Sequence, residues 1–136
     1  MRIDAVVADA NVLLSAVIGR AALRVFTEYG VTVHVTRFNA AEVEEYLPRL
    51  ASKYGLPEGP VQLQWSLLPI VRHPEREYSD LLPTALDGLR DRDPEDAHAL
   101  ALAWKLGLPL WSNDRDFEGQ EVRRYSTAAL LSALEG

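Results

Sequence analysis

Two short apolar runs, residues 3–8 and residues 12–18, follow each other with only Asp9-Ala10-Asn11 between them. The first run predicts a buried strand, and the second predicts a helix or a tight helical turn. An acid and an amide therefore stand at the carboxyl end of a strand, which is the edge where open α/β sheets bind their ligands. A desolvated, unpaired carboxylate is strongly unfavourable, so Asp9 needs a partner, and a divalent cation would serve.

Strand and helix signals alternate through the rest of the chain. The first half predicts a helix over 20–29 ended by Gly30 and then a strand over 31–35. A helix opened by Asn39 follows, and it is expected to break or kink at Pro48. After it come a loop over 56–60, a strand over 67–71 and a helix over 81–89. The second half predicts a helix from Asp93 to Gly107, strands over 108–111 and 122–125, and a helix over 127–134. This alternation predicts an α/β fold of three layers, α/β/α, around a central, mainly parallel, twisted sheet of about four to five strands. The length of 136 residues suits a single domain over 1–136.

Acidic residues fall at the same predicted edge of the sheet. Asp9 ends the first strand, Glu42 and Asp96 lie in the first turns of two helices, and Asp114 ends a later strand with Asp116 behind it. In a right-handed parallel arrangement, strand ends and the following helix starts share one edge. Converging carboxylates raise one another's pKa, so they are stable as anions only around cations. A ligand set made only of oxygen suits Mg²⁺ or Mn²⁺ rather than zinc.

Each acid also has a purely structural interpretation. Asp93 is a favoured N-cap, Glu42 fits half of a capping box, and Asp96 suits the positive end of a helix dipole. Asp114 and Asp116 suit a turn. Taken one at a time, most of these acids are best explained by a structural role. Their order along the chain and their common position at the sheet edge favour a functional site instead.

Composition narrows the class of protein. The absence of cysteine excludes disulfides and zinc–thiolate sites. The formal net charge of −6 disfavours nonspecific nucleic-acid binding through a broad basic surface, although it does not exclude nucleic acid as a substrate. The sequence shows no signal-peptide pattern and no apolar run of about 20 residues, so no membrane segment is expected, and a cytoplasmic location is the simplest expectation.

Taken together, the motifs resemble the PIN domain, a metal-dependent nuclease family, over essentially the whole chain. The motifs are Asp9-Ala10-Asn11 with Ser15 in the helix that follows, Ala41-Glu42-Val43, Asp96 before the Ala/Leu-rich run 97–103, and Ser112-Asn113-Asp114-Arg115-Asp116-Phe117 after Gly107. By this resemblance the catalytic and metal-binding residues are Asp9, Glu42, Asp96 and Asp114. Asp116 and Asp93 are candidates for a second ion or a water-mediated contact.

The resemblance also implies supporting residues. Asn11 would orient Asp9, while Ser15 and Ser112 would hydrogen-bond ligands or phosphate. Two alternatives stay open: Glu45 in place of Glu42, because Pro48 leaves the helix phase undefined, and an exchange of roles between Asp93 and Asp96. The candidates for a nucleic-acid rim are Arg20, Arg24, Arg37 and Arg115. Trp65 is expected to be a core or interface anchor, with base stacking as the alternative, whereas His98 is expected to be a surface or packed residue rather than a catalytic base.

The activity implied by the resemblance is metal-dependent endoribonuclease activity, the hydrolysis of RNA phosphodiester bonds. Small stand-alone members are similar to the toxins of type II toxin–antitoxin pairs, which implies an RNA substrate, an antitoxin partner and a homodimer. A catalytically silent PIN-like module that binds RNA or protein is the alternative. A phosphatase-like or receiver-like phosphotransfer domain fits less well, because the former wants an acid where Asn11 stands and the latter a lysine where Ser112-Asn113 stands.

Overall fold

Within the described part of the chain, five strands form one parallel sheet. They are β1 (Ala5–Ala8), β2 (Thr32–Thr36), β3 (Ile70–His73), β4 (Leu110–Trp111) and β5 (Arg124–Tyr125), in a computed structural model that describes residues 3–89 and 92–136. The strand order is β3-β2-β1-β4-β5, and every neighbouring pair is parallel. The first strand therefore lies in the middle, and the chain adds strands to one side of it before crossing to the other.

Helices cover both faces of this sheet. They are α1 (Ala10–Val17), α2 (Leu23–Glu28), α3 (Arg37–Lys53), α4 (Glu58–Leu67), α5 (Leu82–Gly88), α6 (Ala97–Leu106) and α7 (Thr127–Glu135). Successive strand residues point to opposite faces, so Val6 and Ala8 join one apolar cluster and Val7 joins the other. This confirms the expected α/β/α layering with a parallel sheet. Among the described residues, no helix is both long enough and apolar enough to span a bilayer.

Helix α3 differs from the prediction at its start and in its middle. It begins at Arg37 rather than Asn39, because the Thr36 hydroxyl accepts a hydrogen bond from the Asn39 N–H at 2.9 Å and so caps the helix. It also continues through Pro48 without a break. Proline in a helix interior costs about 3 kcal/mol, but the flanking Leu47 and Leu50 are buried in the core and hold the helix together.

The segment after α3 was wrongly expected to be a loop over 56–60. Helix α4 begins there, with Pro57 at its N-cap and Pro60 in its first turn, where the N–H that proline lacks would have no helical partner. The strand expected over 67–71 is shifted, because α4 occupies the chain to Leu67 and β3 begins only at Ile70.

The second half follows the sequence more closely. Asp93 caps a short 3-10 helix, Pro94–Asp96, that leads directly into α6. Gly107 ends α6 in the left-handed conformation, with φ of 65°. Ser126 caps α7 by accepting a hydrogen bond from the Ala129 N–H at 3.1 Å.

Candidate metal centre

Asp9 lies at the carboxyl end of the central strand and is almost fully buried, with 5% of its surface exposed. One carboxylate oxygen accepts a hydrogen bond from the Val12 N–H at 3.1 Å, which caps α1. The other accepts a hydrogen bond from the Ser112 hydroxyl. Burial raises the pKa of Asp9, while these two donors oppose the shift. Asp9 is therefore held rigidly at the base of the site.

The chain after β4 brings a second group of acids to Asp9. The Ser112 hydroxyl, while donating to Asp9, accepts the backbone N–H of Asp114 at 3.0 Å. The Asp114 carboxylate in turn accepts the Asp116 N–H at 2.8 Å and so caps a 3-10 helix, Arg115–Phe117. Ser112 thus joins the ends of β1 and β4 and fixes the turn that carries both aspartates.

Asp96, Asp114 and Asp116 form the most compact group of carboxylates. One oxygen from each lies within 4.8 Å of the others, and all three residues are half-buried. Burial first, and then the charges of Asp114 and Asp93, raise the pKa of Asp96 to about 8. Carboxyl groups placed this close repel one another when ionised unless a cation lies between them.

The residues present fit a divalent cation. Among the described residues, Asp96 Oδ2 is the buried side-chain oxygen or nitrogen that lacks a hydrogen-bond partner. Buried polar atoms are rarely left unpaired, so this oxygen is available as a ligand beside two further carboxylates. The donor set consists entirely of oxygen, which hard cations prefer.

A further carboxyl group, that of Glu42, is contributed by α3. Its Oε1 accepts a hydrogen bond at 2.7 Å from the side-chain amide of Asn39, whose own oxygen accepts the Thr36 hydroxyl at 2.8 Å. Burial and a hydrogen bond to the Glu95 carboxyl raise the pKa of Glu42 to about 7, while Asn39 opposes the rise. Glu42 therefore keeps its proton up to about neutral pH.

A small acidic cavity of about 140 Å³ connects these elements. It is lined by Asp9, Ala10, Asn11, Asn39, Glu42, Asp93, Glu95, Asp96 and Ala99. Asp114 does not line the cavity, although its charge acts on Asp9 and Asp96.

The structure places the members of the two open pairs, Glu42 and Glu45 and then Asp93 and Asp96, in different surroundings. Glu42 lines the acidic cavity, whereas Glu45 is exposed and lines only a neighbouring one. Asp93 is exposed and caps the 3-10 helix through the Glu95 N–H at 2.9 Å, so Asp96 and not Asp93 joins the triad.

The supporting residues divide between two places. Asn11 is exposed at the rim of the acidic cavity, beside Asp9. Ser15 lies one turn further along α1 and lines a cavity of about 490 Å³ with Glu42 and Tyr54.

The four rim arginines are all exposed but occupy different places. Arg115 lies between Asp114 and Asp116, and Arg37 opens α3. The Arg20 guanidinium lies 5.5 Å from the centre of the Tyr54 ring. Arg24 is paired with Glu28 and with Glu135 at the end of α7, at 3.1 and 2.9 Å, so its charge is already matched there.

The sequence analysis did not identify three functional candidates, which are Glu95, Asn39 and Thr36. Glu95 raises the pKa of Glu42, and Asn39, held by Thr36, positions the Glu42 carboxyl. The threonine was detectable as a capping residue between a strand and a helix. Trp65 is 5% exposed, and its indole N–H donates to Glu44 at 3.1 Å, so it packs in the core rather than stacking on bases.

The protein is therefore an α/β domain with a parallel sheet and a cluster of carboxylates at the carboxyl edge of that sheet. The PIN domain family profile matches residues 7–135, so the chain belongs to the PIN domain family. The fold is similar to that of a toxin–antitoxin complex from Klebsiella pneumoniae, with a TM-score of 0.64 at 19% identity. That alignment covers 85% of this chain and 92% of the other. A search of curated proteins gave no sequence match.

Proposed function

We propose that this PIN domain is a metal-dependent endoribonuclease that hydrolyses RNA phosphodiester bonds with Mg²⁺ or Mn²⁺. The observation that carries the proposal is the triad of Asp96, Asp114 and Asp116, whose oxygens lie within 4.8 Å of one another beside the unpartnered Asp96 Oδ2. An all-carboxylate set favours these two cations over zinc or copper. The cation would supply Lewis acidity toward the phosphodiester and activate water for attack.

The protein's own residues have distinct roles in this proposal. Asp96, Asp114 and Asp116 would bind the cation directly. Asp9 and Glu42, on the two sides of the acidic cavity, would complete the acidic set. Ser112 positions Asp9 and the Asp114 turn together, because its hydroxyl contacts both.

Glu42 is also suited to hold and release a proton. Its pKa of about 7 lies close to neutral pH, where a general acid or base is most effective. The proton on Glu42 can leave when positive charge enters the cavity, since a nearby cation favours the ionised carboxylate. Asn39 keeps the Glu42 carboxyl aimed at the cavity through its amide N–H.

We also propose that the protein acts as the toxin of a type II toxin–antitoxin pair, with an antitoxin protein as its partner and a homodimer as its assembly. The support is the likeness of fold to a toxin–antitoxin complex. Expression of the wild-type protein in a bacterium should then arrest growth, and Asp96→Asn should relieve the arrest. Equal growth arrest by both proteins would contradict this proposal.

Nuclease activity is tested by incubating the purified protein with mixed RNA and with single-stranded DNA, in Mg²⁺, in Mn²⁺ and in chelator. Asp9→Asn and Asp114→Asn should each lower RNA cleavage by more than about 100-fold, because even residues behind metal ligands contribute 10- to 100-fold. Asp80→Asn is the matched control, since Asp80 pairs with Lys105 on the surface at 2.9 Å.

Two results would count against the mechanism. Cleavage that persists in chelator, or in both variants of the acidic site, would show that the carboxylates do not act through a cation. Intact RNA under every condition, with binding of RNA retained, would favour a catalytically silent binding module instead.

A further inference from the structure

A rigid aromatic pair lies beside the acidic cavity. The rings of Phe38 and His98 are parallel, with an interplanar angle of 5° and centroids 3.9 Å apart. The His98 ring is fixed from behind, because its Nδ1 lies 2.7 Å from the hydroxyl of the fully buried Tyr78. Phe38 itself is 36% exposed. His98 therefore covers one face of Phe38 and supports it as an aromatic ring at the surface.

The position of this ring relates it to the metal centre. Phe38 lines a cavity of about 480 Å³ together with Ala41, Glu42, Glu45, Tyr46, Arg49 and Glu95. Glu42 and Glu95 also line the acidic cavity, so the two cavities share a wall. Phe38 stands one turn before Glu42 on the same side of α3, which separates them by about 6 Å along the helix axis.

We propose that Phe38, supported by His98, is the stacking platform for a nucleobase of single-stranded RNA next to the phosphate at the metal centre. This inference rests on the proposed nuclease function. The volume of about 480 Å³ lies within the range of small-molecule pockets. Three carboxyl groups and one guanidinium, that of Arg49, line the cavity, so acidic groups outnumber basic ones and a neutral base suits it better than a phosphate does. Every base has a π-face, so stacking here is tolerant of sequence.

The kinetic test compares Phe38→Ala, Phe38→Tyr and the wild type on an RNA oligonucleotide whose cleaved bond has been mapped. Phe38→Ala should raise KM about tenfold, within the range for losing one stacked base, and leave kcat little changed, because stacking acts equally on ground and transition states. Phe38→Tyr should retain the wild-type KM. Leu106→Ala is the control, since Leu106 is 37% exposed at the far end of α6.

A second substrate shows whether the lost contact is to a base. One abasic residue beside the cleaved bond should raise the wild-type KM by about the same factor. It should add nothing in Phe38→Ala, because both changes then remove one interaction. A KM for Phe38→Ala within about twofold of the wild type, or effects that multiply, would overturn the proposal.

A binding measurement separates this inference from the nuclease proposal. If no RNA is cleaved, the nuclease proposal fails, but Phe38→Trp still reports stacking through its fluorescence. Mixed-sequence single-stranded RNA in Mg²⁺ should quench this variant more than the wild type, which carries the three native tryptophans, and an abasic ribose-phosphate oligomer should not. Equal quenching of both proteins, or equal quenching by both polymers, would overturn the stacking platform.

Discussion

Replacing Asp96 by asparagine should stabilise the metal-free protein at pH 8 while weakening its binding of a divalent cation. Burial and neighbouring charges raise the pKa of Asp96 from 3.8 to about 8. The unfolded chain loses this proton near pH 3.8, whereas the folded protein keeps it until about pH 8. The folded state binds more protons throughout that window, so the free energy of unfolding falls as pH rises. The stability linked to this proton is complete below pH 3.8 and lost by about pH 8.

The structure sets the magnitude of this effect. Each pH unit between the two pKa values changes the free energy of unfolding by about 1.4 kcal/mol, which gives an upper limit of about 6 kcal/mol. Asp96 is half-buried, and solvent screening reduces the penalty, so we expect a gain of about 2–3 kcal/mol at pH 8. The gain at pH 5 should be below about 1 kcal/mol, because asparagine resembles the protonated acid that the wild type carries there.

Chemical denaturation in chelator at pH 5, 6.5 and 8 measures this difference. Asp80→Asn is the control, because its pairing with Lys105 lowers the pKa of Asp80 and so predicts no gain at pH 8. Mg²⁺ or Mn²⁺ at 100 times its dissociation constant should stabilise the wild type by about 2.7 kcal/mol and Asp96→Asn by much less. An Asp96→Asn variant that is no more stable than the wild type at pH 8, or equally shifted at all three pH values, would refute the reasoning.

Substitutions at three further positions test individual features of the structure. Ser112→Ala removes the buried donor to Asp9 and should cost about 1–3 kcal/mol of unfolding free energy, measured by denaturation; an unchanged stability would contradict the contact. Asn39→Ala removes the donor that opposes the rise in the Glu42 pKa, so carboxyl ¹³C titration should place that pKa above about 7, and a lower value would contradict it. Gly107→Ala should lower the free energy of unfolding by about 1–2 kcal/mol, because Gly107 has a φ of 65°. Gly107→Asn should lower it less, and thermal unfolding measures both. Nothing lies within 4 Å of an added Cβ, so a larger loss of stability would indicate another cause.

The sequence predicts the sheet and its acidic edge well because both depend on local patterns. The apolar run before Asp9 and the cap at Asp93 define where a strand ends and where a helix begins. The alternation of strands and helices then predicts that the strands run parallel, with right-handed connections between them. The fold class and the common edge of the acids were therefore accessible without coordinates.

The errors arise where tertiary packing outweighs a local signal. Pro48 breaks helices on average, but α3 buries Leu47 and Leu50 on either side of it and continues. Pro57 and Pro60 suggested a loop, yet Pro57 is the N-cap of α4 and Pro60 lies in its first turn, where proline is tolerated.

The partners within the site depend on contacts that no spacing rule specifies. The hydrogen bond between Glu42 and Glu95 joins two helical segments that are far apart in sequence. Likewise, Ser112 reaches Asp9 across 103 residues. Sequence patterns place such residues at an edge of the sheet, but side-chain directions decide which of them meet.

Because β1 lies between β2 and β4 in the sheet, it is fully paired only after β4 has been synthesised. On the ribosome, Asp9 emerges before its neighbouring strand β4, and the Ser112 hydroxyl follows 103 residues after it. At about 5–20 residues per second, that interval lasts about 5–20 s. Until then Asp9 has neither its buried surroundings nor the aspartates of the later turn. The carboxylates of this edge therefore come together only after β4 and the turn that follows it have been synthesised.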